Sequence, residues 1–226
     1  MQALILAGGE GKRLRPLTDD KPKAMVLLNG RPLIEYVIDE LPDTVSDIVM
    51  SVGYRDDVLR AHFGDSWNGR PIRYVQQEGQ FGTWYAMRLA KDFIKEKFIM
   101  VQCDDIGDKK AFTEGSKYDY SVFAMHEEHP ERYGVVEQNE DGTLKCIVEK
   151  PEHPSGNFVT TGAWILSPDA FKVELFKNDR LGEYFMTDLV SEIAKIKPVH
   201  VVEQNQWITV TYPEDVAVAE TLLRTA

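Results

Sequence analysis

Cysteine is almost missing from this chain, which has only Cys103 and Cys146. The two stand in no metal-binding spacing, and both fall in stretches expected to be strands, so they read as reduced core residues of a cytoplasmic protein. Histidine is also sparse. His62, His126, His129, His153 and His200 form no zinc or triad spacing, and no serine sits in a nucleophile elbow, so covalent catalysis has no support. No apolar run approaches membrane-spanning length and no leader peptide is recognisable, which predicts a soluble, intracellular chain. Basic residues are outnumbered 26 to 37, for a net charge of −11. That balance argues against nucleic acid or an anionic membrane as the main partner. It leaves room for an anionic small substrate met by a local cationic pocket. There is no internal repeat, low-complexity tract or linker. The 226 residues, 43% hydrophobic and 28% charged, therefore suit one soluble domain with a packed core.

What the chain does have is a distinctive amino-terminal stretch, Leu4-Ile5-Leu6-Ala7-Gly8-Gly9-Glu10-Gly11-Lys12-Arg13-Leu14-Arg15-Pro16-Leu17-Thr18, followed by Lys21-Pro22-Lys23. The apolar run from Ala3 to Ala7 is long enough for a buried strand and too short for a helix. Gly8, Gly9 and Gly11 let the backbone turn sharply and bring its N–H groups close to a bound group, as an anion nest. Arg13 adds a planar fork suited to phosphate oxygens, and Lys23 a point charge. Two better-known glycine motifs do not fit. Gly9-x-Gly11 is followed by Leu14 where a dinucleotide fingerprint needs Gly or Ala. A P-loop needs Gly-Lys-Ser/Thr, whereas Gly11-Lys12 precedes Arg13, and Leu6 occupies the position of the earlier glycine. A glycine-rich turn with incidental charge would explain the glycines alone. Arg13, Pro16-Leu17-Thr18 and Lys21-Pro22-Lys23 favour a polyphosphate site.

Leu6-Ala7-Gly8-Gly9-x-Gly11-x-Arg13-Leu14-x-Pro16-Leu17-Thr18 with Lys21-Pro22-Lys23 resembles the signature of the nucleotidyltransferases that join a sugar 1-phosphate to a nucleoside triphosphate. The resemblance implies a nucleotide-binding role for Leu6, Ala7, Gly8, Gly9 and Gly11. It also implies that Arg13 holds the departing pyrophosphate and Lys23 contacts the α-phosphate. Gln77 with Gly82 and Thr83 matches the family's base-reading stretch, a side-chain amide and backbone groups suited to a pyrimidine edge; the alternative for Gln77 is an ordinary polar loop residue.

Along the chain, strands are expected at Val45–Val52, Arg70–Val75 and Lys97–Cys103. Helices are expected from Pro32, as first helical residue, to about Leu41, at Asp56–Phe63 stopped by Gly64, and at Trp84–Phe93 capped by Thr83. A polar loop, 76–82, links the third strand to its helix. This strand–helix alternation predicts a Rossmann-like α/β fold, a mostly parallel or mixed sheet with helices on both faces. The rhythm then changes. Tyr118–Met125 and Phe158–Leu166 read as strands, and Tyr133–Gln138 pairs with Leu144–Glu149 across an Asp141-Gly142 turn. That hairpin would form a small lobe over the active edge. Helices at Pro168–Phe176 and Glu183–Ile196, short strands at Val199–Glu203 and Trp207–Thr211, and a last helix from Pro213 complete the order. Residues 1–117 would form the nucleotide half and 118–226 the acceptor half of a single domain.

Asp104 and Asp105 end the central strand, where open α/β sheets bind ligands. Asp104 is the expected Mg²⁺ ligand, since Mg²⁺ takes one or two carboxylates plus phosphate oxygens, and the family places its metal-binding Asp there. Asp105 reads as part of a solvated turn, with Asp108 capping the next helix. Glu149-Lys150-Pro151 taken alone could be a surface ion pair. The resemblance makes Glu149 a partner of sugar hydroxyls and Lys150 of the sugar phosphate, with Gly134 letting the sugar ring lie on the backbone and Thr161 on the sugar strand. Four departures stand out: Thr209 where the family usually has a second metal-binding Asp, Thr211 for a glycine, Thr160 for an Asn, and Trp84-Tyr85 for small residues. Trp84 would either narrow the pocket or pack its helix into the core.

The expected reaction is displacement at the α-phosphorus of a nucleoside triphosphate by a phosphorylated small-molecule acceptor, with Mg²⁺. Two rivals remain: a cytidylyltransferase for a non-sugar phosphate or phosphonate, suggested by Trp84-Tyr85 and Thr160, and a weakly catalytic nucleotide-sugar-binding regulator, suggested by Thr209. The chain stops at its last helix, so a single activity is expected without an acyltransferase-type repeat domain; whether it forms a homo-oligomer stays open.

Overall fold

The computed structural model describes every residue except 78, 80, 81, 176, 177, 179–181 and 226. Its elements in chain order are β1 (Gln2–Ala7), β2 (Leu27–Leu28), β3 (Arg31–Pro32), α1 (Leu33–Asp39), β4 (Asp47–Val52) and α2 (Asp56–Phe63). Then come β5 (Ser66–Trp67), β6 (Arg70–Gln76), α3 (Thr83–Leu89), β7 (Phe98–Gln102), β8 (Asp105–Ile106) and α4 (Lys109–Gly115). The second half holds β9 (Ser121–His126), β10 (Gly134–Gln138), β11 (Leu144–Glu149), β12 (Phe158–Leu166), α5 (Met186–Ala194), β13 (His200–Glu203), β14 (Ile208–Thr209) and α6 (Pro213–Thr225).

Strand β1 is central because every one of its residues except Leu6 is buried, as a parallel strand covered on both faces must be. It pairs in parallel with β4 and β7, and β4 pairs in parallel with β6. Alternate residues feed two cores. Ala3, Ile5 and Ala7 face the core shared with α1, α2, α4 and α6, whereas Leu4 faces the core shared with α3 and α5. Helices therefore cover both faces, as expected. The sheet runs β11-β10-β12-β7-β1-β4-β6-β5, with β9 and β13 joined to it through β12. The expected hairpin, β10 with β11, continues this sheet through the Val135–Val159 pair, and its Gly134 and Glu149 ends face a cavity described below.

Strand β12 is what joins the halves. Along one edge it pairs first with β10 and then with β7, while β9 follows its other edge with a register shift between Thr160 and Trp164. Gly162 takes a positive φ of 77° inside that shift. Such a value is easy for glycine and strained for other residues.

Several expected boundaries shift for local reasons. Pro32 is not the first helical residue: Arg31–Pro32 pairs with Leu27–Leu28, and Pro32 becomes the N-cap of α1. Thr83 does not cap α3 but begins it, with Gly82 (φ 95°) at the N-cap and no side-chain cap. The helix ends at Leu89 because residues to Phe93 continue in tighter turns, Ala90 N–H to Met87 O and Phe93 N–H to Ala90 O. Pro168–Lys172 is a short 3-10 turn, not a longer helix; Phe176, its expected end, lies outside the described residues, as do Glu78, Gln80 and Phe81 of the polar loop. Helix α5 starts at Met186 after an extended Phe185. Asp105 belongs to β8, paired with β14, and not to a solvated turn. Asp108 does cap α4, accepting from the Lys110 and Ala111 N–H groups. No helix among the described residues is long and apolar enough to cross a membrane.

Candidate active site

The loop after β1 folds back on itself. Gly11 takes φ 63°, and its carbonyl accepts from the Leu14 N–H at 2.9 Å and the Thr18 hydroxyl at 2.8 Å. A Cβ on Gly11 would lie 3.0 Å from both Lys23 Cβ and Thr18 Cγ2, so the glycine lets the loop close over Lys23. Leu14 is buried beneath a single 3-10 turn, Lys12–Leu14. That anchor leaves Arg13 exposed, with its guanidinium 5.5 Å from the Tyr212 ring. The ends of β1 and β4 touch here, since a Cβ on Gly53 would meet the Gly8 carbonyl oxygen at 2.6 Å.

Two cavities open at the carboxyl ends of the parallel strands, where open α/β sheets bind ligands. The first, of about 400 Å³, is lined by the glycine loop, Lys23 and Gln77. The second, of about 350 Å³, lies beside the break in β12 and is lined by Gly134, Glu149, Lys150 and Thr161. Arg13 and Asp104 line both. The sequence-derived sets largely separate in space: Leu6, Gly8, Gly9, Gly11, Gln77 and Gly82 fall on the first cavity, Gly134, Glu149, Lys150 and Thr161 on the second, and Thr83 lines both.

Two residues behave differently from expectation. Ala7 is 1% exposed and its side chain packs in the core with Ala3 and Ile5, because alternation along β1 turns it away from the cavity that Leu6 lines. Thr161 lines the second cavity, but its hydroxyl turns inward, within 3.2 Å of the Phe123 carbonyl and of hydrogen-bonding reach to Gln204. Trp84 packs into the core: it is 5% exposed and stacks on Tyr184 at 5.1 Å. Gln77 lies over the loop, since a Cβ on Gly8 would fall 2.4 Å from its Oε1.

The Lys23 ammonium donates directly to an Asp104 carboxylate oxygen. Burial opposes charge on Lys23, but Asp104 outweighs it and holds the ammonium above its ordinary pKa. Asp105 is pushed up, by burial and then by the neighbouring Asp104 charge. Its oxygens accept from Trp207 Nε1 at 3.2 Å and Gln102 Nε2 at 3.1 Å. Glu149 is also raised, mainly by burial, against a hydrogen bond from the Thr187 hydroxyl at 3.0 Å and the Lys150 charge. Lys150 holds a positive φ of 43°, and its ammonium lies 5.9 Å from the Phe185 ring. Gly134 is tightly enclosed: a Cβ there would meet Ile147, Thr160 and Thr187 methyl groups within 2.9 Å.

Residues 2–222 match the family described as Nucleotidyl transferase. The chain belongs to that family. It is 33% identical to the UTP–glucose-1-phosphate uridylyltransferase AglF of Haloferax volcanii, over 99% of this chain and 97% of the relative. It is 31% identical to the bifunctional protein GlmU of Methanocaldococcus jannaschii, over 99% of this chain and 54% of that one, and so spans about half of GlmU. A UDP-glucose pyrophosphorylase solved with UDP-glucose shares the fold, with a TM-score of 0.88 at 23% identity over 99% of this chain and 98% of its own.

As a nucleotidyl transferase, the chain also brings Gln102, Glu183, Phe185 and Thr211 to both cavities, and Arg132, Tyr133 and Trp207 to the second. Motif spacing singles out none of Gln102, Glu183 or Phe185. Glu183 and Phe185 reach the cavities because α5 starts late, and the helical pattern expected from residue 183 concealed this. Thr209, standing where the family usually has Asp, sits directly across from Asp105 in the β8–β14 pair, where its hydroxyl favours the ionised carboxylate.

Proposed function

We propose that the chain joins a nucleoside triphosphate to a sugar 1-phosphate, giving a nucleoside diphosphate sugar and pyrophosphate, with uridine as the base and a hexose phosphate as acceptor. The carrying observation is the wall common to the two cavities, where Arg13 and Asp104 face both sides. Triphosphate in the first cavity and sugar phosphate in the second would meet at that wall. An acceptor phosphate oxygen bonds to the α-phosphorus while the bond to the bridging oxygen breaks, and pyrophosphate carries off the electron pair. The attacking oxygen is already ionised at neutral pH, so no general base is needed. The protein's task is alignment and charge neutralisation between two anions, which at ~4 Å repel by ~4 kcal/mol per unit pair for an effective dielectric near 20.

Each residue has one part in this. N–H groups of the glycine loop and the Arg13 guanidinium take the β- and γ-phosphates, and Lys23 takes the α-phosphate. Gln77 and Thr83 meet the pyrimidine, and Glu149 and Lys150 the sugar and its phosphate. The base and the sugar rest on similarity to AglF together with Gln77 and Glu149-Lys150.

Mg²⁺ fits this donor set in one way. Among the described residues no three His, Cys, Asp or Glu side chains cluster as a metal cage. Asp105 has both oxygens taken by Gln102 and Trp207, whereas the only hydrogen-bond partner of the Asp104 carboxylate among the described residues is Lys23. Asp104 would therefore hold the ion alone, with phosphate oxygens and water as the remaining ligands, the usual habit of Mg²⁺. Bound there, it would neutralise phosphate charge.

Pyrophosphate release decides the matter, with UTP, dTTP, CTP, ATP and GTP each offered hexose 1-phosphates and amino-alcohol phosphates in Mg²⁺. The fastest pair is expected to be UTP with a hexose 1-phosphate. Faster release from CTP and an amino-alcohol phosphate would overturn the acceptor, and binding of nucleotide without release from any pair would overturn the activity.

A further inference from the structure

Asp105 follows Asp104 in sequence but faces other partners. Its carboxylate accepts from the Trp207 indole at 3.2 Å and the Gln102 amide at 3.1 Å, and Thr209 stands directly across from it in the β8–β14 pair, its hydroxyl favouring the ionised carboxylate. These partners come from two distant segments, the end of β7 and the stretch around β14. All three line the acceptor-side cavity. Trp207 in turn meets the Tyr133 ring edge-on at 5.2 Å, and Tyr133 lines the same cavity. Gly162 closes the arrangement from β12, since a Cβ there would lie 2.5 Å from Gln102 Nε2 and 3.2 Å from Asp105 Oδ2. A secluded carboxylate must have its oxygens bonded or bear a heavy desolvation cost. Here the bonds that meet this need are also the ones that hold the cavity wall.

We propose that Asp105 is a positioning residue for the acceptor: its carboxylate ties Gln102, Trp207 and Thr209 together and so sets the wall against which the sugar phosphate lies. This rests on the nucleotidyl-transfer reading above. It also gives a reason for Thr209. A carboxylate at 209 would stand across the strand pair from Asp105, and like charges directly opposite one another destabilise a pair. A hydroxyl there carries no charge to oppose Asp105.

Steady-state kinetics and metal binding test this on the full chain. In Asp105→Asn the side chain keeps one oxygen and gains a donor, so at least one of its donors loses its acceptor. The KM for the hexose 1-phosphate should rise about tenfold or more, the loss typical of a hydrogen bond to a charged group. The KM for UTP and UTP-dependent Mn²⁺ binding, followed by electron paramagnetic resonance, should stay unchanged. Trp207→Phe keeps the ring against Tyr133 and removes the N–H, and should give the same split if Asp105→Asn folds poorly. The double variant should be no worse than the more impaired single one. Equal rises in both KM values, or additive effects in the double variant, would overturn the proposal. So would lost Mn²⁺ binding in Asp105→Asn, which would make Asp105 a metal ligand. Wild-type protein run in parallel separates the two failures: no turnover there removes the nucleotidyl-transfer reading itself.

Discussion

Lys23 and Asp104 are the pair on which the proposed chemistry leans hardest, and removing one partner has two separable consequences. Their side chains are 12% and 19% exposed, and their contact joins the Lys23–Met25 turn beneath the glycine loop to the segment just past β7. Truncating one partner of a buried pair costs about 3–5 kcal/mol, because the other charge stays behind uncompensated. Cavities reach this pair and solvent screens the stranded charge, so a value below that range, about 2–3 kcal/mol, applies. In a domain of this size that lowers Tm by roughly 4–12 °C. Turnover should suffer independently. If Lys23 acts as a preorganised cation at the α-phosphate, Lys23→Ala loses about 10²–10³ in kcat. UTP should still bind, since the glycine loop and Arg13 remain. The second mutation distinguishes the two effects. Adding Asp104→Asn to Lys23→Ala removes the stranded charge, so thermal denaturation should recover much of the lost Tm while pyrophosphate release stays at the single-variant level or below. A Lys23→Ala enzyme with near-normal kcat would refute the catalytic assignment. A double variant as unstable as the sum of two independent losses would refute the coupling.

Three further outcomes follow from the same geometry. A Cβ at Gly53 meets a backbone oxygen at 2.6 Å, whereas one at Gly8 meets the end of the Gln77 side chain at 2.4 Å. Gly53→Ala should therefore lower Tm markedly, while Gly8→Ala should chiefly raise the KM for nucleotide as Gln77 swings aside. Asp108→Ala removes the acceptor for the Lys110 and Ala111 N–H groups, 2.8 and 3.2 Å away, and should cost about 1–2 kcal/mol in urea unfolding. Burial holds Glu149 above its ordinary pKa, and in the role proposed for it the ionised form would accept from sugar hydroxyls. Acceptor kcat/KM should thus rise with pH through that raised pKa, and Glu149→Gln should flatten this limb. The folded-state shift is upward, so ionisation of Glu149 costs stability as pH rises through it; Glu149→Gln should lose acceptor affinity at neutral pH without losing Tm.

How far the site could be read in advance depended on whether a residue carries its own local signal. Asp56–Phe63 and Phe158–Leu166 form the elements expected of them with the same bounds, because an amphipathic turn pattern ended by Gly64 and a long apolar run each act locally. The glycine loop likewise announces itself, since glycine takes the φ of 63° at position 11 without strain and admits the close approach of Lys23. Thr83 failed as a cap because Gly82 must stay bare: a Cβ there would strike the Tyr184 carbonyl at 2.4 Å, a contact set by a segment far along the chain.

Asp104 and Asp105 mark the limit most clearly. They are neighbours with the same side chain, so local pattern treats them alike and can assign roles only by analogy. What separates them is the returning chain. Lys23 comes to one across 81 positions of sequence, and Trp207 to the other across 102. Among the described residues one carboxylate has a single cation as its side-chain partner and faces the cavities, where the metal proposed above would bind. The other is enclosed by donors and cannot leave them without leaving those donors unpaired. Nucleotidyl transfer needs both conditions together: a mobile charge balance where phosphate charge changes during reaction, and a rigid wall where the acceptor must be aimed at the α-phosphorus. Two adjacent residues can supply both because the turn between β7 and β8 leaves Asp104 to Lys23, while Asp105 enters β8 and meets β14 and its flanking Trp207.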